Sequence, residues 1–419
     1  MKVCLIHSDE AANLYTVAML RSLMKHAGIE ETAMATADAL WVSVCDPTEV
    51  GMLVKARVSA RGRPVIMGGF EAFFGEPYLA WADAVVVGEG WEFIRAWGQD
   101  PAAAMNLPCV LTKDREARAS YDCAFDLAPL LKVPGDGRYY YLGGRGCHRK
   151  CLFCATGWTQ PNQHNQNVRA AISQARSAGG RGLTIIGNDG RDLVPGFANA
   201  KSVTVHDYLM DPEKYKSPMV HLGIEGWTQD DRKLLGKPIS DVDIGRLFAA
   251  SKWAKQKMEL FLIVGYPGWD SSRIGSLLAA IPTDAANGPS VHFKTTYFDP
   301  CPHTPLSRSA VSDEWLDCKQ LFRELNSNNK RIRVFPTRSK ARSAWRTAFH
   351  RCSPDEACAL GPEPKDTNTS SSMPEFRRRL RGCGLESKVY QQVAEPCARV
   401  HVSPRGWADA TGKTPELVP

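Results

Sequence analysis

Gly143-Gly144-Arg145-Gly146-Cys147-His148-Arg149-Lys150-Cys151-Leu152-Phe153-Cys154 sets three thiols within eight residues, spaced C-x3-C-x2-C, on a glycine-rich loop. Thiolates are soft ligands, suited to iron–sulfur clusters or to zinc. A tetrahedral zinc site needs a fourth ligand, and zinc motifs are usually built from paired C-x2-4-C units. The sequence holds no second pair of that kind. Three thiolates on a four-iron cluster leave one iron open, which is what a catalytic cluster needs. The other readings are a zinc site completed from elsewhere, or incidental thiols.

Outward from this loop the chain alternates strand and helix signals. Arg138–Gly143 leads into the cysteines, and further strand candidates are Gly182–Gly187, Ser202–His206, Met219–Gly223, Leu260–Gly265 and Val291–Phe298. Helical stretches such as Asn167–Ser177 and Asp241–Gln256 fall between them. Six strands in βα order point to a full or partial parallel barrel, whose chemistry sits at the C-terminal ends of its strands. Before the loop, residues 1–100 carry apolar runs at Val3–His7, Ala39–Val44, Pro64–Gly69 and Ala84–Gly90, separated by helical patterns. Near-continuous apolar strands with intervening helices predict a doubly wound parallel sheet. Residues 101–137 contain proline, are irregular, and read as a linker.

In its cysteine loop the chain resembles the radical S-adenosylmethionine (SAM) superfamily, whose motif is C-x3-C-x-aromatic-C, with Phe153 at the aromatic position. The resemblance implies a partial (βα)6 radical SAM barrel over 138–306. Cys147, Cys151 and Cys154 would hold a [4Fe–4S] cluster whose fourth iron binds SAM. One electron, from a donor such as flavodoxin or ferredoxin, would release a 5′-deoxyadenosyl radical. The cofactor supplies that chemistry and the protein aims it. Further segments extend the likeness: Gly187 and Asp189 at the end of the second strand, Leu222-Gly223-Ile224-Glu225-Gly226 with Lys237-Pro238 downstream, Gly265-Tyr266 at the fifth, and Phe298–Leu306 at the close. They imply cofactor contacts at Phe153, Gly187, Asp189, Glu225, Gly265 and Tyr266.

Val65–Gly69 and Ala82–Gly90 resemble the cobalamin-binding domain fused ahead of many radical SAM cores. Glycines after a parallel strand let a cofactor approach the backbone. The Asp-x-His-x-x-Gly motif that supplies a histidine to cobalt is absent. Two readings stay open: cobalamin bound without that histidine, or a domain that keeps the fold without the cofactor. Glu89 reads as a polar contact or as a solvated side chain.

The 419-residue chain has the composition of a globular protein, 43% hydrophobic and 23% charged, with a net charge of +7. Wholesale disorder is excluded. All of the excess charge lies in the extension 307–419, with 20 Lys and Arg against 13 Asp and Glu. The extension reads as basic and mainly helical or irregular, with a helix at Asp313–Leu325 and a Thr/Ser-rich loop at Asp366–Ser372. Lys330 to Arg351 has eight basic residues, no acidic one, and interleaved aromatics. Basic residues grip phosphates and aromatics stack on bases, so Lys340, Arg342, Trp345, Arg346 and Arg351 are expected to contact nucleic acid, DNA or tRNA. Cys352, Cys358, Cys383 and Cys397 match no ligand spacing.

No apolar run reaches the ~18 residues of a membrane span, and the first residues lack a signal-peptide pattern, so the expectation is a cytoplasmic protein without a membrane partner. The function expected first is an enzyme that rearranges or isomerises a nucleic-acid base or its substituent, in DNA hypermodification or tRNA modification. The alternatives are a cobalamin-dependent radical SAM methylase of a small molecule or peptide, and a nucleic-acid-binding protein with a structural cluster.

Overall fold

A computed structural model describes residues 1–8, 14–132, 138–180, 182–187, 202–215, 219–279, 290–312, 332–336, 340–363, 372–393 and 399–402. The apolar runs of the first hundred residues form one sheet. Its strands are β1 (Lys2–Ile6), β2 (Glu30–Glu31), β3 (Ala39–Ser43), β4 (Val65–Gly68), β5 (Ala84–Val86) and β6 (Val110–Leu111), in the order β2-β1-β3-β4-β5-β6. All pairings are parallel except β5 with β6. β3 is buried at every position because both of its faces are covered. Trp41 packs with the helices Leu14–His26 and Trp91–Gln99. Leu40 and Val42 face the helix Val50–Ser59.

Two expectations are corrected here. The stretch read as a linker contributes β6, whose Val110 and Leu111 are fully buried with Cys109 beside them. Two residues are too few to show a period, so the strand was hidden in an irregular sequence. The extension, read as a basic arm, packs into the core of the N-terminal domain. Ala344, Trp345, Ala348 and Phe349 share one cluster with Leu40, Phe73, Phe74 and Tyr78. Phe349 stacks on Trp345 and meets Tyr78 edge-on, each at 5.0 Å between ring centres. Ala341, Ala344, Trp345, Ala348 and Phe349 form an i, i+3, i+4 stripe on the helix Lys340–His350, the apolar face of an amphipathic helix.

Between β6 and the cysteine loop come β7 (Ala117–Arg118), β8 (Leu131–Lys132) and β9 (Arg138–Leu142). The loop leaves β9 through β10 (Gly144–Arg145), which pairs antiparallel with β11 (Gln163–His164). All six strands expected over 138–306 are present: β9, β12 (Gly182–Ile186), β13 (Ser202–Val203), β14 (Met219–Glu225), β15 (Lys257–Val264) and β16 (Val291–Tyr297). Among the described residues they form two parallel arcs, with β9 against β12 in one and β13-β14-β15-β16 in the other, and not one continuous barrel sheet. The second arc gains β17 (Ile332–Pro336), parallel to β16 and drawn from the basic stretch. The helix Asp241–Trp253 starts at a capping box between Ser240 and Asp243. The expected helix at 313–325 lies outside the described residues, as does nearly all of the Thr/Ser-rich loop. No described helix is long and apolar enough to cross a membrane.

Candidate functional site: a cysteine loop facing a cavity in the N-terminal sheet

Backbone contacts with little tolerance for an added atom hold the cysteine loop. Gly143 N–H donates to Ile186 O at 2.8 Å, tying the loop to the end of β12. Gly187 then crosses Gly144 so closely that a Cβ would lie 2.6 Å from the Gly144 carbonyl. Gly146 has φ +68°, and a Cβ there would sit 2.1 Å from Pro161 O. Gly146→Ala therefore combines a left-handed backbone with a backbone clash. It should cost more than about 1 kcal/mol and lower iron loading, as read by thermal unfolding and metal analysis of the same preparation.

Beyond Gly146, Leu152 N–H donates to Leu235 O at 3.1 Å and Leu152 O accepts from Leu306 N–H at 3.3 Å. Trp158 Nε1 donates to Cys151 O at 2.8 Å, and Lys150 Nζ donates to Gly157 O at 2.5 Å. Phe153 packs against the core of the second arc. Cys151 is buried, while Cys147 and Cys154 are half-buried. Burial pushes the Cys151 thiol up, Lys237 opposes this, and Cys154, Glu225 and Cys147 push it further. The three thiols thus share one electrostatic neighbourhood. Among the described residues no three His, Cys, Asp or Glu side chains converge on a single-ion site. In a four-iron cluster each thiolate binds a different iron, so its ligands do not converge on one point. The donor set, three thiols on one loop with a proton for the metal to displace, fits such a cluster.

In the electrostatic neighbourhood of Cys151 stands a half-buried ion pair. Lys237 Nζ lies 3.0 Å from Glu225 Oε1 and 3.1 Å from Gly223 O. Glu225 ends β14 with φ +62°, an uncommon conformation for a residue with a side chain, at a bulge in the pairing with β15. Burial acts to lower the Lys237 pKa, but Glu225, Cys151 and Cys154 outweigh it and the net shift is upward, so the ammonium stays charged. Of the other expected cofactor contacts, Gly265 has φ +78° and its carbonyl accepts from Ser312 N–H at 2.9 Å. Tyr266 is corrected as a side-chain contact. Its ring is fully buried, and burial and Asp231 together raise its hydroxyl well above the ordinary value. Asp189 lies outside the described residues.

The N-terminal sheet reverses its strand order between β1 and β3, the place where open parallel sheets bind ligands. A cavity of about 210 Å³ opens there. Cys45, Gly68, Phe70, Glu89 and Trp91 rim it, and it runs down to Leu23 and Phe93. The cysteine loop supplies part of its wall through Arg145 and Gln160. Arg145 Nε lies 3.1 Å from Glu89 Oε1, which settles the Glu89 alternatives in favour of an ion pair between sheet and loop. Gly69 and Gly88 serve the protein's own packing, since a Cβ would meet Val44 O at 2.3 Å and Ser120 O at 2.1 Å. Gly68 is different. It lines the cavity and a Cβ there meets nothing within 4 Å, so its backbone is open to a ligand. No histidine is among the described residues lining the cavity. Sequence reasoning missed Arg145, Cys45, Phe70 and Trp91. The signal available was their place just after strand ends.

Three of the five expected nucleic-acid contacts are corrected. Trp345 is fully buried, and Arg346 and Arg351 are buried with it. Arg346 pairs with Asp46 at 2.6 Å and with Asp299 at 2.7 Å. Arg351 donates to the carbonyls of Lys388, Ser307 and Ser309. Arg342 pairs with Glu363 at 3.2 Å. Lys340 opens the helix, and its side chain is outside the described set. Their charges were spent on a core helix whose polar side needs internal partners. Of the four tail cysteines, Cys352 is buried, Cys358 exposed and Cys383 intermediate, and Cys397 lies outside the described residues.

No protein-family model and no curated protein matches the chain. Solved structures do. The radical SAM methyltransferase TsrM from Kitasatospora setae, with cobalamin and a [4Fe–4S] cluster bound, matches at a TM-score of 0.52 and 11% identity, over 73% of this chain and 74% of that one. The same enzyme with its tryptophan substrate and a SAM analogue matches at 0.51 and 12%, over 70% and 72%. The cobalamin-dependent radical SAM enzyme OxsB, with aqua-cobalamin bound, gives 0.47 and 12%, over 68% and 52%. The chain is thus structurally similar, over about 70% of its length, to cobalamin-dependent radical SAM enzymes. At this identity the likeness is one of fold.

Proposed function

We propose that this protein is a cobalamin-dependent radical SAM methylase of a small molecule or peptide. The observation that carries the reading is the cavity at the switch point of the N-terminal sheet, walled in part by the cysteine loop. A cofactor seated there faces whatever the cluster binds. Cys147, Cys151 and Cys154 would hold the [4Fe–4S] cluster, and Gly187 and Gly265 would let SAM approach the backbone. Gly68, Phe70 and Trp91 would line the approach of cobalamin, of which a cavity of about 210 Å³ takes only a part, and Leu23 and Phe93 would keep that part dry. Arg145 and Glu89 would fix the two domains against each other. When bound, the cluster, SAM and cobalamin supply radical and methyl-transfer chemistry. A one-electron donor such as flavodoxin or ferredoxin would be a partner.

The reading displaces two earlier expectations. Nucleic-acid modification leaned on Lys340, Arg342, Trp345, Arg346 and Arg351, of which Trp345, Arg346 and Arg351 are core residues. Rearrangement leaned on the missing cobalt-ligating histidine, but a cavity with no histidine among its described lining residues suits cobalamin held without that ligand. The test is Gly68→Val, which fills cavity space and meets no neighbouring atom at Cβ. Cobalamin affinity should fall at least about fivefold, from overlap of about 1–3 kcal/mol, with the melting temperature nearly unchanged. Equal cobalamin retention by variant and parent, read by visible absorbance, would remove this cavity as the cobalamin site.

A further inference from the structure

Lys237 is placed more carefully than an ordinary structural lysine. The turn Leu235-Gly236-Lys237 grips the cysteine loop, with Leu152 N–H on Leu235 O at 3.1 Å. Gly236 has φ +73°, and a Cβ there would stand 3.0 Å from Leu152 N and 3.1 Å from Lys150 O. The next residue delivers an ammonium into the protein interior, bonded to Glu225 Oε1 and Gly223 O. Glu225 takes a left-handed backbone at the end of its strand to meet it. Glu225 is buried and Lys237 half-buried, and withdrawing a lysine from water even in part needs a compensating partner. Packing alone would be served as well by an apolar side chain of the same length.

We infer that Lys237 is a positioning residue that sets the reduction potential of the cluster through its fixed positive charge, with Glu225 as the opposing charge that holds it in place. The inference rests on the cluster reading above. Reduction adds an electron to the cluster, and a cation beside a thiolate ligand favours the reduced state. Cluster potentials respond to net charge and to hydrogen bonds near the sulfurs. Lys237 follows directly on Leu235 and Gly236, which meet Leu152 N and Lys150 O on either side of Cys151, so its charge is carried on a segment packed against that ligand.

The two partners therefore have opposite effects, which a merely structural pair lacks. In the reconstituted full-length protein, Lys237→Met should shift the midpoint potential to more negative values. At a fixed poise the reduced fraction should fall about tenfold, equivalent to about 59 mV for one electron. Glu225→Gln, which keeps the ammonium, should shift it to more positive values. Lys237→Arg should restore the parent value. The readouts are a redox titration followed by electron paramagnetic resonance, and iron content. If Lys237→Met fails to hold iron, the upward shift in Glu225→Gln decides alone. Shifts of the same sign, or none, in iron-loaded variants overturn the role of Lys237 and leave the cluster reading standing. A parent protein that assembles no cluster overturns both.

Discussion

On the proposed function, alanine at Cys147, Cys151 or Cys154 should strip the iron from the protein and lower SAM-dependent turnover by at least about a thousandfold, since the cofactor and not the fold would supply the chemistry. The size of the effect follows from the ligand count. One loop carries all three thiols, and every other turn of it is already committed. Leu152 is held by Leu235 and Leu306, Cys151 O by Trp158, and Gly146 is pressed against Pro161. The loop has no slack with which to recruit a replacement. Cys352→Ala is the contrasting control. Burial raises that thiol to about 12, and it packs in the core of the N-terminal domain with Phe349 and Leu360. Its loss leaves a small cavity, costing roughly 1–2 kcal/mol with iron content unchanged. Metal analysis and thermal unfolding of the four variants separate ligands from packing thiols.

The second large effect is at Arg346. Arg346→Met leaves the Asp46 and Asp299 carboxylates without their cation; the Asp299 side chain is only 10% exposed and that of Asp46 over a third, so the loss is about 3 kcal/mol, carried mainly by the Asp299 pair. Arg346 comes from the C-terminal extension, Asp46 from the loop after β3, and Asp299 from the end of β16, so one side chain ties three parts of the chain together. The same network predicts an acid dependence. Burial acts to raise the Asp46 pKa, but Arg346 and the Thr48 backbone N–H outweigh it and bring it down to about 2. The folded value lies below the unfolded one, so this contribution is complete above about pH 4 and is lost as the pH falls towards about 2. In Arg346→Met that step should shrink to what the Thr48 hydrogen bonds sustain, leaving stability flatter across the same interval. Chemical denaturation at stepped pH values measures both effects.

The sequence made some parts of this architecture plain and hid others, for physical reasons. The C-x3-C-x2-C loop was legible because ligand chemistry fixes spacing. The strands β1, β3, β4 and β5 were legible because a strand covered on both faces must be continuously apolar, and β9, β12, β13, β14, β15 and β16 because short apolar or alternating runs between helical patterns mark strands. β6 and β17 were not. β6 is two residues long, and β17 alternates Arg333 with apolar neighbours inside a stretch dominated by charge. The helix Lys340–His350 shows the same bias more sharply. Its apolar stripe was present in Ala341, Ala344, Trp345, Ala348 and Phe349, but net charge drew the attention to its arginines. Charge does not reveal whether its partner is a phosphate or the protein's own Asp46. The Lys237–Glu225 pair and the Arg145–Glu89 bridge join residues distant in sequence, so only the tertiary fold brings them together.

The central claim is that Cys147, Cys151 and Cys154 hold a four-iron cluster with one iron left for SAM. Electron paramagnetic resonance of the anaerobically reconstituted, dithionite-reduced full-length protein, before and after addition of SAM, tests it most directly. The account predicts about four irons per chain and a [4Fe–4S] signal whose shape changes when SAM is added, because one iron has no cysteine. A signal that SAM leaves unaltered, or zinc bound where iron is expected, would contradict it.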